Sequence, residues 1–430
     1  MLLINLNKKN INLLVSKAIL FFLIIINFVY FYLNLKYNIN SSGYAFNELF
    51  INYQAGFIRR GFLGEIFWLL NDNFSIEPIT FFSIFFLFIY LAQIYLFFLL
   101  FKKYIVSKII FILIFLSPSL LLFHIYDPNV YFLKDSIIKL TILFHAYIFI
   151  YFSVYKRQNE KYFSYLKLLI LPILFIVILT HEYQVFFLGI HFLISLGVIK
   201  QNNNLKQIIK IYSILIIPFL LVIIFIGDQS QFETLSQILK KFNVELNPHL
   251  GNGIYKYLGA FYKWHFFYFS YRDFVNLFFS VILSILLFYV LFQYLIEKKI
   301  LNFQSKLQAK YFNYFVPTLI PTLLTTDHGR NISLITFHLI SFYLILNLNN
   351  QKFLNLTENI NKSLLIKVSL ILFLFFYIFR WKLNQFAGFG LQGIPNDIFT
   401  SSLFVEISKF IKFTYGFIDL NIINLPEIKL

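Results

Sequence analysis

Cysteine is absent from all 430 residues, which removes disulfides, thiolate metal sites and cysteine nucleophiles from consideration. Charge is scarce too. Only 13% of the residues are Asp, Glu, Lys or Arg, about half the share of an ordinary soluble domain, so water is not the main solvent of this chain. Acidic residues are the scarcer sign, 19 against 36 basic. Glycine is also thin, at 15 residues, which leaves little for the broken helices on which transporters commonly hold their substrates.

What is present is apolar surface: 59% of the residues are hydrophobic and 21% aromatic. Apolar runs of about 15–25 residues recur along the chain, and about 20 such residues make a helix that crosses a bilayer core of about 30 Å. A membrane barrel would instead alternate apolar and polar residues over segments of about ten, and the run 18–35 does not alternate. The sequence therefore predicts an all-α polytopic membrane protein with eleven spans. They fall near 17–36, 79–101, 108–123, 136–155, 168–180, 183–199, 211–227, 274–296, 311–326, 332–349 and 366–380. The first, preceded by Lys8, Lys9 and Lys17, reads as an uncleaved signal anchor.

Basic residues set the expected orientation. With the N-terminus in the cytoplasm, the cytoplasmic connectors hold most of the lysines, among them Lys102, Lys103, Lys200, Lys298 and Lys299, and carry the entire net charge of +17. That is the positive-inside pattern. Dispersal over six connectors also removes nucleic acid as the reason for the basic balance. Three segments then lie outside: 37–78, 228–273 and the tail 381–430, where an amphipathic stretch near 403–418 reads as an interfacial helix. The runs 168–199 and 311–349 each read as a helical hairpin whose tip is polar.

Candidate functional residues cluster on the outer segments. In the first loop Glu48 precedes Arg59, Arg60 and Glu65, with Gly56, Gly61 and Gly64 interleaved. Guanidinium forks bind phosphate bidentately and glycines let backbone N–H groups approach an anion, so this stretch is a candidate phosphate clamp. The alternative is an interfacial helix whose arginines reach lipid headgroups. The second outer loop offers a turn at Asp127 and then Lys134 and Asp135, a charge pair at the entrance of a span. His181 and Glu182 form the first hairpin tip and read as a general base with its orienting partner or as half of a metal site, against a plain polar turn. The second tip, Asp327, His328 and Arg330 around Gly329, carries more titratable chemistry than a solvated turn needs. In the loop 228–273 an aromatic run surrounds Trp264, His265 and Arg272. Most of its rings read as a membrane belt, and these three residues are its binding candidates.

On the stretch from Gly56 to Glu65, the His181–Glu182 pair and the stretch from Asp327 to Arg330, the chain resembles bacterial envelope-glycan enzymes, both O-antigen and capsule polymerases and GT-C membrane glycosyltransferases. The likeness is one of layout: ten or more spans, a long first outer loop, a large later outer loop, and Arg, His and acidic residues at the outer face. It implies donors linked to polyprenyl phosphate or pyrophosphate and a multi-pass location in the cell inner membrane. Asp327, His328, Arg330, His181, Glu182 and Glu48 are then the expected catalytic residues. Arg59, Arg60, Glu65, Lys134, Asp135, Trp264, His265 and Arg272 are the expected substrate contacts. No cofactor is specified. The competing classes are a transporter or flippase, which needs polar groups near the bilayer midplane, and a non-enzymatic assembly factor.

Overall fold

The computed structural model describes residues 8–37, 43–102, 108–127, 130–196, 205–240, 278–284, 316–324, 327–348, 382–384 and 388–390. Nearly all of these residues are helical. Among the described residues, five helical segments are long and apolar enough to cross a membrane: Val15–Lys36, Pro78–Phe101, Asp135–Ser153, Asn159–Thr180 and Lys206–Ile224. The spans expected over 274–296, for the most part, and over 366–380 lie outside the described residues, as does the amphipathic stretch at 403–418.

In chain order, α1 (Lys8–Tyr37), α2 (Tyr44–Glu48), α3 (Phe62–Phe74), α4 (Pro78–Lys102), α5 (Lys108–Phe115) and α6 (Phe123–Tyr126) precede the central helix α7 (Asp135–Phe149). Pro78 opens α4 where its missing N–H costs nothing, because the first turn of a helix has no internal acceptor for it. A π-helical turn, Ile150–Tyr155, follows α7, and α8 (Asn159–Tyr165), a second π turn and α9 (Leu171–Thr180) run on as one rod. The second π turn, Leu166–Ile170, immediately precedes Pro172, whose ring cannot accept the regular α-helical register. Next come α10 (Gln184–Leu196), α11 (Leu205–Ser213), α12 (Ile216–Ile224) and α13 (Gln229–Leu239). Pro218 explains the break between α11 and α12, since it would clash with the carbonyl of Ile214. The hairpin α14 (Val316–Leu324) and α15 (His328–Leu348) follows.

Both expected hairpins have a helix break at their polar tips. The second is stitched across its arms by Asn331 Nδ2, which donates to the Pro321 carbonyl at 3.1 Å. The core lies where α7 packs on α4, α10 and α15, with α1 behind α4.

Two features differ from the sequence expectation. The run 108–123 is not one span: α5 stops at Phe115, because Pro118 disfavours helix at Ser117 and offers no N–H of its own. From Ser117 to Tyr126 the chain turns through the protein interior with every residue buried. Turn bonds such as Leu120 N to the Ser117 carbonyl at 3.1 Å satisfy this backbone, and Tyr30 of α1 donates to the Ile125 carbonyl at 2.5 Å. Irregular backbone at membrane depth is tolerated under that condition, enclosed by protein with its polar groups answered. In the tail, β1 (Lys382–Asn384) and β2 (Gly388–Gly390) form an antiparallel ladder with Leu383 opposite Phe389. The sequence reading had no strand there.

Candidate functional site

Four segments distant in the chain bring their charged residues together at one end of the bundle, where α9 stops and α7 and α15 begin. The first is the loop around α2. Its end, Glu48, is 1% exposed, and Arg60 reaches over it from a left-handed backbone with φ 66°, a conformation that costs a non-glycine residue energy. Arg60 Nη1 donates to Glu48 Oε1 at 2.7 Å. Its Nε donates to both oxygens of Glu182, at 2.9 and 2.8 Å, and its Nη2 closes the fork on Oε1. Arg59 Nη1 stands 3.5 Å from the same oxygen. Lys134 Nζ donates to the Arg60 carbonyl at 2.8 Å, so the residue preceding α7 fixes the backbone that aims the guanidinium.

A second guanidinium lies beside the first. Arg330, in the first turn of α15, forks onto Asp135 through Nε and Nη2, the latter at 2.7 Å. Its Nη1 donates to Asp327 Oδ2 at 3.1 Å. Arg330 Nη2 also donates to His181 Nε2, and its guanidinium carbon sits 4.7 Å from the Tyr183 ring centroid. An arginine nitrogen has no lone pair to offer, so His181 Nε2 is the acceptor there, while the Tyr183 backbone N–H points at Nδ1 at 3.3 Å and Glu182 Oε2 stands 3.7 Å from the same nitrogen.

The two arginine centres thus share the His181–Glu182 turn, and four cations (Arg59, Arg60, Lys134, Arg330) meet four carboxylates (Glu48, Asp135, Glu182, Asp327). Isolated charges in such surroundings would be prohibitively costly. Mutual pairing is what lets them stay buried.

The electrostatics divide the carboxylates. Burial alone would raise the Glu48 carboxyl, but Arg60, Lys134, His181 and Arg330 outweigh it and hold it at about 2. Glu182 is also held well below the ordinary range, burial being outweighed by Arg60 and Arg59. Asp327 goes the other way: burial pushes it up by more than Arg330 pulls it down. It is also the most open of the four, its side chain 18% exposed against 1–8% for the others. Burial, then Arg330 and Arg60, push the His181 ring down to about 4, so it is neutral at pH 7. Burial also pushes the Lys134 ammonium down to about 8.

Several candidates take other places. Glu65 is not part of the cluster: it accepts from Tyr53 N and Gln54 Nε2, both at 2.8 Å, and folds its own loop. Neither are the nearby glycines an anion cradle. A Cβ at Gly64 would lie 2.1 Å from the Ile51 carbonyl oxygen, and one at Gly61 would lie 2.4 Å from the Tyr53 ring, so both positions serve close packing. Gly56 makes a turn at φ 101°, to which Gln231 of α13 is tied through the Ala55 carbonyl at 3.2 Å. His328 opens α15, while its side chain, together with Trp264, His265 and Arg272, lies outside the described residues.

Sequence reasoning missed the polar groups inside the bundle. Lys139 lies buried one turn along α7 from Asp135 and donates to Ser333 Oγ at 2.7 Å. His145, His191 and His338 are buried deeper. Asp135 and Lys139, together with Gln93 and His124, line a small cleft. Among the described residues no three His, Asp or Glu side chains are placed to hold a metal ion.

No protein-family model, curated protein or solved structure matches the chain.

Proposed function

We propose that the chain is a polytopic membrane glycosyltransferase or polysaccharide polymerase that uses polyprenyl-phosphate-linked sugars. In this reading it has eleven spans, a cytoplasmic N-terminus and an outer C-terminal tail in the inner membrane, and the charged cluster lies at the outer face. One observation carries the reading: Arg60 and Arg330, on separate segments, converge with a neutral histidine and four carboxylates at one end of an apolar bundle. Arginine forks suit a lipid-borne phosphate, and a donor already in the bilayer needs no soluble nucleotide-binding domain.

The weakest link in the cluster suggests the order of events. Asp327 holds Arg330 by a single bond, whereas Asp135 holds it by two. An incoming phosphate displaces Asp327 from Arg330 Nη1. The released carboxylate, with its affinity for protons raised by burial, takes the proton of the acceptor hydroxyl as that oxygen bonds to the sugar's anomeric carbon. The bond from that carbon to the phosphate oxygen breaks, and the departing phosphate faces Arg330 and Arg60.

The test is transfer of labelled sugar in isolated membranes, with variants at equal abundance. Arg330→Lys keeps the charge but loses the planar fork, and loses about a hundredfold or more in rate, on the order of 3 kcal/mol of transition-state stabilisation. Asp327→Asn falls similarly. Unchanged transfer in both variants makes the cluster structural. A second reading, movement of a lipid-linked or anionic substrate, draws on the buried Lys139 and the three intramembrane histidines, because ionisable groups within spans usually mark a path. It predicts normal transfer in isolated membranes and substrate retained on the inner leaflet of cells.

A further inference from the structure

The helices that carry the charged cluster at one end carry polar residues along their facing sides to the other. On α7 these are Asp135, Lys139 and His145; on α10, Gln184, His191 and Ser195; on α15, Arg330, Ser333 and His338. At about 1.5 Å of rise per residue the three files descend about 15 Å, 16 Å and 12 Å into the bundle. Every one of these side chains is buried. Interhelical hydrogen bonding alone can motivate polar residues in spans, and it accounts for those that are paired. It does not account for those that are not: His191 Nε2, His338 Nε2 and both polar atoms of Gln184 have no hydrogen-bond partner among the described residues. Leaving such a group dry costs about 1–3 kcal/mol.

The lower part of the file is a continuous chain of hydrogen bonds. Tyr212 Oη meets Ser195 Oγ, Ser195 Oγ meets Tyr162 Oη, and Tyr162 Oη meets His145 Nε2, each at 2.9 Å. His145 Nδ1 then meets His191 Nδ1 at 2.9 Å. Each of these groups both gives and accepts a proton, so the chain has two complete polarities. In one, Tyr212 donates to Ser195, Ser195 to Tyr162, Tyr162 to His145 and His145 to His191, which leaves a proton on His191 Nε2. In the other every bond is reversed, His191 Nε2 is bare, and Tyr212 Oη donates to the His191 carbonyl oxygen at 2.9 Å, an acceptor that Ser195 Oγ also reaches at 3.2 Å.

Passing between the polarities breaks one O–H or N–H bond at each atom as the next forms. One proton enters at one end for each that leaves at the other, no charge is left in the interior, and the hydroxyls rotate and the His145 and His191 rings turn over before the next proton follows. Tyr212 is part-exposed on α11, beside Lys206 and Lys210. At the other end, the His191 and His338 rings stand 6.2 Å apart, edge to face. Their bare nitrogens are the kind of atoms that a bridging water binds. Above them on α15 and α7 come Ser333 and Lys139, and then Arg330 and Asp135.

We propose that α7, α10 and α15, with Tyr162 and Tyr212, form a proton pathway through the membrane that joins the Tyr212 end of the bundle to the charged cluster. The proposal rests on neither reading of the cluster's chemistry, because the pathway moves protons whatever the cluster acts on.

The experiment needs no glycan substrate. Purified protein is placed in sealed vesicles of neutral lipid with a trapped pH dye, and a potassium-diffusion potential is imposed. Voltage-driven proton flux at least severalfold above that of empty vesicles is expected for the natural chain. Tyr162→Phe, which keeps the ring and removes one link, returns the flux to the empty-vesicle level, while Glu65→Gln, far from the file, leaves it unchanged. Nitrogen-15 spectra of the natural protein in bilayers supply a readout independent of variant folding: His145 and His191 each exchange between two tautomers, and Tyr162→Phe freezes them in one. Natural vesicles as proton-tight as empty ones, conduction unaltered by Tyr162→Phe, or a single fixed tautomer at both rings in the natural protein would overturn the proposal.

Discussion

The two ends of the file embed polar groups in opposite ways. At the charged end, Arg60 and Arg330 are saturated, each answered by at least two carboxylates. At the tyrosine end the groups are neutral and linked in a row, and the row stops at ring nitrogens with no partner among the described residues. Saturated ion pairs fix geometry, since loss of one member strands a charge in a medium that cannot screen it. A neutral row tolerates reversal and loss of a link. The first arrangement suits holding an anion in place, and the second suits passing something along.

The largest expected effect comes from breaking the first arrangement. Arg60→Met strands Glu48 and leaves Glu182 with Arg59 alone, and thermal unfolding in detergent should show a loss of about 3–5 kcal/mol. The equivalent cut in the second, Tyr162→Phe, leaves only neutral groups unanswered and should cost about 1 kcal/mol. Similar losses in the two variants would erase the distinction drawn here.

Acid should separate the ends next. His181 has its pKa depressed from 6.5 to about 4, so the folded state resists a proton that the unfolded chain accepts, and stability is lost as pH falls through that window. Glu48, depressed from 4.5 to about 2, continues the loss below it. For His181 the full window is worth on the order of 3 kcal/mol. Asp327 is shifted upward and opposes the trend with the reverse sign. His181→Gln should make the melting profile less steep between pH 6.5 and 4, the buried histidines of α7, α10 and α15 accounting for the slope that stays, and an unchanged slope would place the acid sensitivity elsewhere. The smallest effect is expected at Glu65: Glu65→Gln loses at most the charge-assisted part of its bonds to Tyr53 and Gln54, about 1 kcal/mol in thermal unfolding.

The helices were legible because apolar runs of spanning length dominate the sequence, and Glu48, Arg60, Asp135, Glu182 and Arg330 were legible because charges at the ends of such runs stand out. Their pairing was not, since the partners of Arg330 lie 149 and 195 residues away and no local pattern encodes that. The bonds of Glu65 to Tyr53 and Gln54 and the close packing at Gly61 and Gly64 were not legible, because a loop folding upon itself uses the same residues as a phosphate cradle. The Pro118 break was visible as a proline inside an apolar run, yet hydropathy outweighed it. His145, His191 and His338 drew no expectation, because their spacing on each helix is unremarkable and only the packing of α7, α10 and α15 sets them side by side.

The claim that the charged cluster receives a lipid-borne phosphate is most directly tested by a photoreactive polyprenyl-phosphate probe on the purified protein in bilayers. Labelling should concentrate at the α9–α10 turn and the start of α15, compete with unlabelled polyprenyl phosphate, and drop at least tenfold in Arg330→Lys. Labelling spread over the lipid-facing sides of α1 and α4, indifferent to competitor and to Arg330→Lys, would contradict it.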